Sequence, residues 1–209
     1  SVKKLFTSQK TEFKLHPRGQ QITQTNYDFI GMYTYDDLAL VKLNGKYGVL
    51  DTTGTELIPT QYDTLCFNES IFSLCYQGKC GFVNSKGESF IPFQYDKAKC
   101  FFNGYAAVNL NGYWGFVDST GSEVIKPQYR YDDIKYFSEG VAAVSKDGKW
   151  GYINKSGKVV IPLVYDETSG FFSDCITGVR LGEFWGIINM DNEVVESIET
   201  DYDVFMEIW

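Results

Sequence analysis

The sequence predicts an all-β protein of six tandem repeats, each about 35 residues long and built as an antiparallel β-meander, stacked face to face. Three observations predict it. A glycine with an aromatic residue before it recurs as Tyr47-Gly48, Trp114-Gly115, Trp150-Gly151 and Trp185-Gly186, and Cys80-Gly81 holds the remaining place, so the glycines are spaced 33, 34, 36 and 35 residues apart. Turn-forming residues stand at fixed offsets from each of these glycines. Helix signals are absent, and 17% of the 209 residues are aromatic, a composition that favours strands.

Each unit opens on a two-residue turn: Asn44-Gly45, Gln77-Gly78, Asn111-Gly112 and Asp147-Gly148. Asn-Gly and Asp-Gly supply the positive φ of a type I′ hairpin. Six residues after the marker glycine comes a second turn, at Gly54, Gly87, Gly121, Gly157 and finally Asn192. The Asp51, Asn84, Asp118 or Asn154 that opens it can cap it through its side chain. Ile58-Pro59, Ile91-Pro92 and Ile161-Pro162 follow, and proline, which cannot donate to a ladder, is expected to end the third strand. Fourteen residues past the marker stand Tyr62, Tyr95, Tyr129 and Tyr165, whereas Tyr202 comes two residues late. Tyr-Asp pairs at 62–63, 95–96, 131–132, 165–166 and 202–203 suggest an Asp that accepts backbone N–H groups at the bend between repeats.

Gly19 and Tyr27-Asp28 repeat the same interval, which makes residues 1–30 a worn first copy with Phe13 at the marker place. The remaining copies run over about 31–63, 64–96, 97–132, 133–166 and 167–203, with a tail at 204–209, all as one repeat domain.

Register fixes the faces. With Asn44-Gly45 as the turn, Leu43 pairs with Lys46, Lys42 with Tyr47 and Val41 with Gly48. One face then carries Val41, Leu74, Val108, Val144 and Val179 opposite the glycines; the other carries the Tyr or Trp column with Val49, Phe82, Phe116, Tyr152 and Ile187. Both faces are apolar and need cover, which head-to-tail stacking of aromatic into glycine provides. Degenerate end copies favour an open superhelical array, with a closed six-bladed β-propeller as the alternative. On this reading Trp150 is a buried plug between repeats.

Units such as Asp147-Gly-Lys-Trp-Gly-Tyr-Ile-Asn-Lys-Ser-Gly-Lys-Val-Val-Ile-Pro162 resemble the WG-repeat, or KWG-repeat, family. The resemblance covers residues 31–195 well and the first 30 weakly. It implies bacterial arrays of variable length and an interaction role with no assigned chemistry. Cys80 in place of Trp, Lys126 displacing Pro127 by one position, and Glu196-Ser197 in place of Ile-Pro are the departures.

No catalytic, metal or cofactor constellation is expected. His16, the one histidine, has no cluster of ligands or carboxylates near it in sequence. The repeated carboxylates come singly, without the second member that glycosidase chemistry requires. A net charge of −8 argues against nucleic acid as the partner, and no stretch is long and apolar enough for membrane insertion. The leading expectation is a non-enzymatic module that binds or scaffolds protein, and the alternative is a glycan or cell-wall binder using exposed aromatics. Five basic residues within 1–20 face eight acidic ones after 182; the two charged ends are either simply solvated or attract between copies.

In the third copy, Gln77-Gly78 sets Tyr76 against Lys79 and Cys75 against Cys80. As a non-hydrogen-bonded pair, these cysteines stand within reach of a cross-strand disulfide, which an oxidising compartment would permit; two unpaired thiols are the competing reading.

Overall fold

In the computed structural model, residues 27–33, 38–170 and 173–198 are described. The worn first copy before Tyr27, with Phe13, His16 and Gly19, lies outside them, as do Tyr202-Asp203 and the tail.

The described residues form five four-stranded antiparallel sheets, each a simple meander. Sheet 1 comprises β1 (Phe29–Tyr33), β2 (Ala39–Leu43), β3 (Lys46–Leu50) and β4 (Glu56–Tyr62). Sheet 2 comprises β5 (Thr64–Asn68), β6 (Ile71–Tyr76), β7 (Lys79–Asn84) and β8 (Ser89–Tyr95). Sheet 3 comprises β9 (Lys97–Ala98), β10 (Tyr105–Leu110), β11 (Tyr113–Asp118) and β12 (Glu123–Tyr129). Sheet 4 comprises β13 (Asp133–Ser138), β14 (Val141–Lys146), β15 (Lys149–Asn154) and β16 (Val159–Tyr165). Sheet 5 comprises β17 (Glu167–Thr168), β18 (Ile176–Leu181), β19 (Phe184–Asn189) and β20 (Val194–Ile198). The chain divides into two compact units after Gln94: sheet 1 and sheet 2 up to Gln94 belong to the first, Tyr95 and sheets 3 to 5 to the second.

The central hairpins have the predicted register: Val41 faces Gly48, Leu74 faces Gly81, Val108 faces Gly115, Val144 faces Gly151 and Val179 faces Gly186. In sheets 1 to 4 their turns use positive φ at both central residues, as at Asn44 (51°) and Gly45 (79°), which is what a type I′ turn requires; in sheet 5 only Gly182 (66°) of the Gly182-Glu183 turn does.

Two expectations need correction. Proline does not end a strand: β4, β8, β12 and β16 run on through Pro59, Pro92, Pro127 and Pro162 to the tyrosine. These are edge strands, and their register shifts beside the marker glycine, so a residue without an N–H interrupts no ladder there. Each unit also has a strand before the three that the turn signals define. That first strand returns through turns such as Asn103-Gly104 and Glu139-Gly140, where both residues have positive φ.

Within each unit, the bulky face of one sheet packs on the valine face of the next. In the first unit Leu38, Val49 and Ile58 of sheet 1 bury Phe72, Leu74 and Val83 of sheet 2. In the second, Ala107, Trp114, Phe116 and Ile125 of sheet 3 meet Ile134, Phe137, Val144 and Ile153 of sheet 4. Ala143, Tyr152, Ile161 and Tyr165 of sheet 4 repeat the contact against Val179 and Ile188 of sheet 5. The Tyr152 hydroxyl, buried in that last layer, is satisfied by the Thr168 and Thr177 hydroxyls.

The marker glycines serve a purpose other than receiving the neighbour's aromatic ring. A Cβ on Gly115 would stand 2.3 Å from the Ile125 carbonyl oxygen and 2.6 Å from the Pro127 nitrogen; on Gly151 it would stand 2.6 Å from the Ile161 and Pro162 oxygens. Glycine is needed because the bulged Ile-Pro strand of the same sheet crosses directly against it.

Cys75 and Cys80 pair across the hairpin with Cα atoms 4.0 Å apart and are joined by a disulfide. Cys80 is buried at the place where Trp stands in other copies. The bond closes a short loop, so Cys75→Ala/Cys80→Ala should lower stability by only about 2 kcal/mol and leave the sheet folded. Trypsin cuts after Lys79, so peptide mapping of unreduced protein should find the peptide with Cys80 joined to the peptide with Cys75; a Cys80 peptide recovered with a free thiol would contradict the bond.

Candidate functional site

The recurrent polar residues are spent on joining one sheet to the next. Asp63 Oδ2 accepts the Gln77 N–H (3.0 Å), at the tip of the following hairpin, while its other oxygen pairs with Lys46 of the preceding one. Asp166 does the same between Gly182 N–H (2.7 Å) and Lys149, and Asp28 and Asp96 accept from Asn44 (2.6 Å) and Asn111 (2.6 Å). Four tyrosines hold the second turn of the following sheet, three of them from these pairs and one, Tyr129, from just before the pair at 131–132. Tyr27 donates to Glu56 (3.1 Å), Tyr95 to Glu123 (3.1 Å) and Tyr165 to Asn192 (2.6 Å), while Tyr129 lies against Gly157, where a Cβ would meet its hydroxyl at 2.6 Å. Among the described residues the pairs therefore act as ties between sheets rather than as a line of acid sites.

The second turns are equally self-contained. Asp118 Oδ1 accepts the N–H groups of Thr120 (2.9 Å) and Ser122 (3.0 Å) and the Thr120 hydroxyl (2.6 Å). Asp51, Asn84, Asn154 and Asn189 cap their own turns in the same way. The Thr120 hydroxyl lowers the Asp118 carboxyl pKa, slight burial opposes it, and the backbone N–H groups lower it further. At Asp51, slight burial raises the pKa, but the Thr53 hydroxyl and backbone N–H groups of Thr55, Thr53 and Gly54 outweigh it. Carboxyls held below their unfolded pKa contribute stability that is fully present above about pH 4 and is lost as pH falls through the lower folded value. The protein should therefore lose stability on acidification below pH ~4. Because three copies use Asn at this place, Asp51→Asn/Asp118→Asn should be close to neutral at pH 7 and flatten the acid limb. An unchanged limb in denaturation series at pH 7, 4 and 3 would contradict this.

The marker tryptophans are not open platforms. Trp114 is 7% and Trp185 4% exposed. Trp150, expected as a buried plug, is only partly buried, and Lys135 lies over its ring with Nζ 5.2 Å from the centroid. The aromatics that do reach solvent near a concavity lie elsewhere.

In the second unit, at the end of the first strands, a cleft of about 520 Å³ is lined by Phe102, Asn103, Lys135, Tyr136, Ser169 and Gly170, with Ser138 and Ser173 at its border. Phe102 (42% exposed) and Tyr136 (37%) form its aromatic wall, their rings 5.3 Å apart and tilted by 34°. Asn103 Nδ2 donates to the Phe137 carbonyl (2.9 Å), tying sheet 3 to sheet 4. Ser169 Oγ bonds the Thr177 hydroxyl (2.8 Å) and accepts the Gly178 N–H (3.3 Å). Lys135 lays its stem over Gly170, where a Cβ would meet Lys135 Cγ at 3.1 Å. Sequence reading missed this site because its lining comes from three copies, at positions where those copies differ. Among the described residues no group of three or more His, Cys, Asp or Glu could hold a metal ion.

The fold thus defines a tandem-repeat protein of four-stranded antiparallel sheets, in which the repeat motif itself supplies the ties. The family model for the WG containing repeat matches residues 16–47, 47–80, 81–114, 114–150 and 150–183, and the chain belongs to this family. No curated protein matches its sequence. Among solved structures it is similar to a eukaryotic initiation factor (TM-score 0.57, 13% identity, 86% of this chain and 58% of that one). Citrobacter koseri AztD (TM-score 0.54, 15% identity, 88% and 64%) and Kluyvelomyces marxianus Hsv2 (TM-score 0.53, 10% identity, 78% and 63%) are also similar. The chain spans about 58 to 64% of the length of these structures, and at such identities the likeness is one of fold.

Proposed function

We propose that the chain is a non-enzymatic protein-interaction module that presents the second unit's cleft and the turns around it to a protein partner. One observation carries this: the repeated polar side chains and the buried tryptophans are engaged in holding sheets together, whereas the exposed aromatic pair Phe102 and Tyr136 belongs to individual copies. Solvent-exposed aromatic surface in a concave site is what protein interfaces use as anchors. An enzymatic reading has little support, because the only ionisable side chains among the cleft's described lining are Lys135 and Tyr136, with no carboxylate or imidazole as a partner. The glycan reading draws on the same two exposed rings.

A photo-crosslinking residue placed at Tyr136 in the native host should give a discrete protein adduct that is absent when the residue is placed at the exposed Glu88. Retention of the protein on a polysaccharide column, with no protein adduct at position 136, would overturn the proposal in favour of the glycan reading.

A further inference from the structure

We propose that the cleft of the second unit is a pocket for an aromatic side chain carried on an acidic segment of a protein partner; this rests on the reading of the chain as a protein-interaction module.

The first argument is the shape and character of the lining. At about 520 Å³ the cleft is in the range that accommodates a ring together with its flanking atoms, and its wall is a pair of exposed rings rather than a flat surface. Aromatic rings pack edge-to-face or offset against such a wall, gaining more than the buried area alone gives.

The second argument is that two of the polar groups at the cleft are already engaged within the protein. The Asn103 amide nitrogen is committed to the Phe137 carbonyl, and the Ser169 hydroxyl to Thr177 and Gly178. A sugar ring requires an unspent array of donors and acceptors around its hydroxyl groups, and the cost of leaving them unmatched falls on the ligand. An aromatic side chain makes no such demand.

The third argument is charge. Among the described residues, Lys135 is the one charged group of the lining, and no acidic residue lines the cleft. The carboxylate of Asp133, which is close enough for Lys135 to lower its pKa, is already bonded to Lys99 at 2.8 Å. Lys135 itself has no ion-pair partner among the described residues, and its ammonium sits over the Trp150 ring. In a chain of net charge −8, this is a local cationic rim on an apolar pocket. It matches an aromatic residue with an Asp or Glu close by in sequence.

The test pans phage-displayed random dodecapeptides against the full-length protein, followed by fluorescence anisotropy with the enriched peptides. Enrichment of an aromatic residue with Asp or Glu within two positions is expected. Their affinity should fall about tenfold or more in Tyr136→Ala, a change at an exposed ring that leaves the thermal midpoint in place. Lys135→Gln should flatten the salt dependence of binding. Phe184→Ala removes a still more exposed aromatic at the tip of the β18–β19 hairpin and should change nothing.

Enriched peptides whose binding is indifferent to Tyr136→Ala and Lys135→Gln would overturn the pocket while leaving a protein-interaction module in place. Absence of any enrichment would also overturn the pocket. Binding of neutral oligosaccharides, abolished by Tyr136→Ala, would overturn both the pocket and the module.

Discussion

Gly115→Ala should destabilise the protein by about 3 kcal/mol or more, among the largest effects of any single-methyl addition to this chain. The added carbon would stand 2.3 Å from the Ile125 carbonyl oxygen, 2.6 Å from the Pro127 nitrogen and 2.8 Å from the Lys126 carbonyl carbon. All three obstacles are backbone, so no side chain can rotate away, and relief requires pulling β12 off β11. That separation would disturb the Trp114–Tyr129 and Phe116–Ile125 pairs on either side. Two companion substitutions isolate the cause. At Gly186 the nearest atom is the Glu196 oxygen at 3.3 Å, so Gly186→Ala should be nearly neutral. At Gly148 nothing lies within 4 Å but φ is +74°, so alanine there should cost only the left-handed backbone penalty of about 1 kcal/mol. Urea unfolding midpoints should therefore fall in the order Gly186→Ala, Gly148→Ala, Gly115→Ala. Equal midpoints for the first and last would sink the close-crossing account of the motif.

This contrast also shows what the sequence could and could not reveal. Hairpin register was legible because a two-residue turn admits one pairing, so Asn44-Gly45 alone determines that Val41 lies opposite Gly48. Face-to-face stacking followed, since alternation left two apolar faces on every sheet. The reason for the glycine was not legible. It depends on a register shift in the neighbouring edge strand, and a Pro in sequence signals a missing donor without saying whether the strand stops or bulges.

The first strand of each sheet escaped for a similar reason. Asn103-Gly104 is a strong turn signal, but its counterparts Glu69-Ser70 and Asp174-Cys175 adopt the same positive φ with residues that do not advertise it. The Tyr-Asp pairs could be read as bend residues, yet their two separate targets, hairpin tip and second turn, belong to the following sheet and emerge only in three dimensions. The cleft is legible least of all. Phe102, Lys135 and Ser169 come from three different copies; Lys135 has a counterpart in Lys99, sixteen residues before the marker glycine, but Phe102 and Ser169 have no like residue at their places, so self-comparison does not single the three out.

Replacing Trp114 with Ala should cost about 3 to 5 kcal/mol, whereas the same change at Trp150 should cost roughly 2. The two residues hold the same motif position, pairing with Tyr129 and Tyr165 respectively, so motif logic alone predicts equal effects. Burial separates them. Trp114 is 7% exposed and packs with Phe116 and Ile125 on its own sheet and with Ile134 and Val144 on the next, so its loss leaves a cavity enclosed by two sheets. Trp150 lies at the margin of its cluster, and Lys135, a flexible chain that can follow the shrinking surface, lies over its ring. Cavity cost depends on how far the surroundings collapse, and only the Trp150 site can collapse cheaply. The same reasoning predicts that Trp150→Ala, unlike Trp114→Ala, alters peptide binding at the cleft by releasing Lys135 from its ring. Unfolding curves that place Trp150→Ala at or below Trp114→Ala in stability would show that position in the motif, rather than local burial, sets the contribution of these tryptophans.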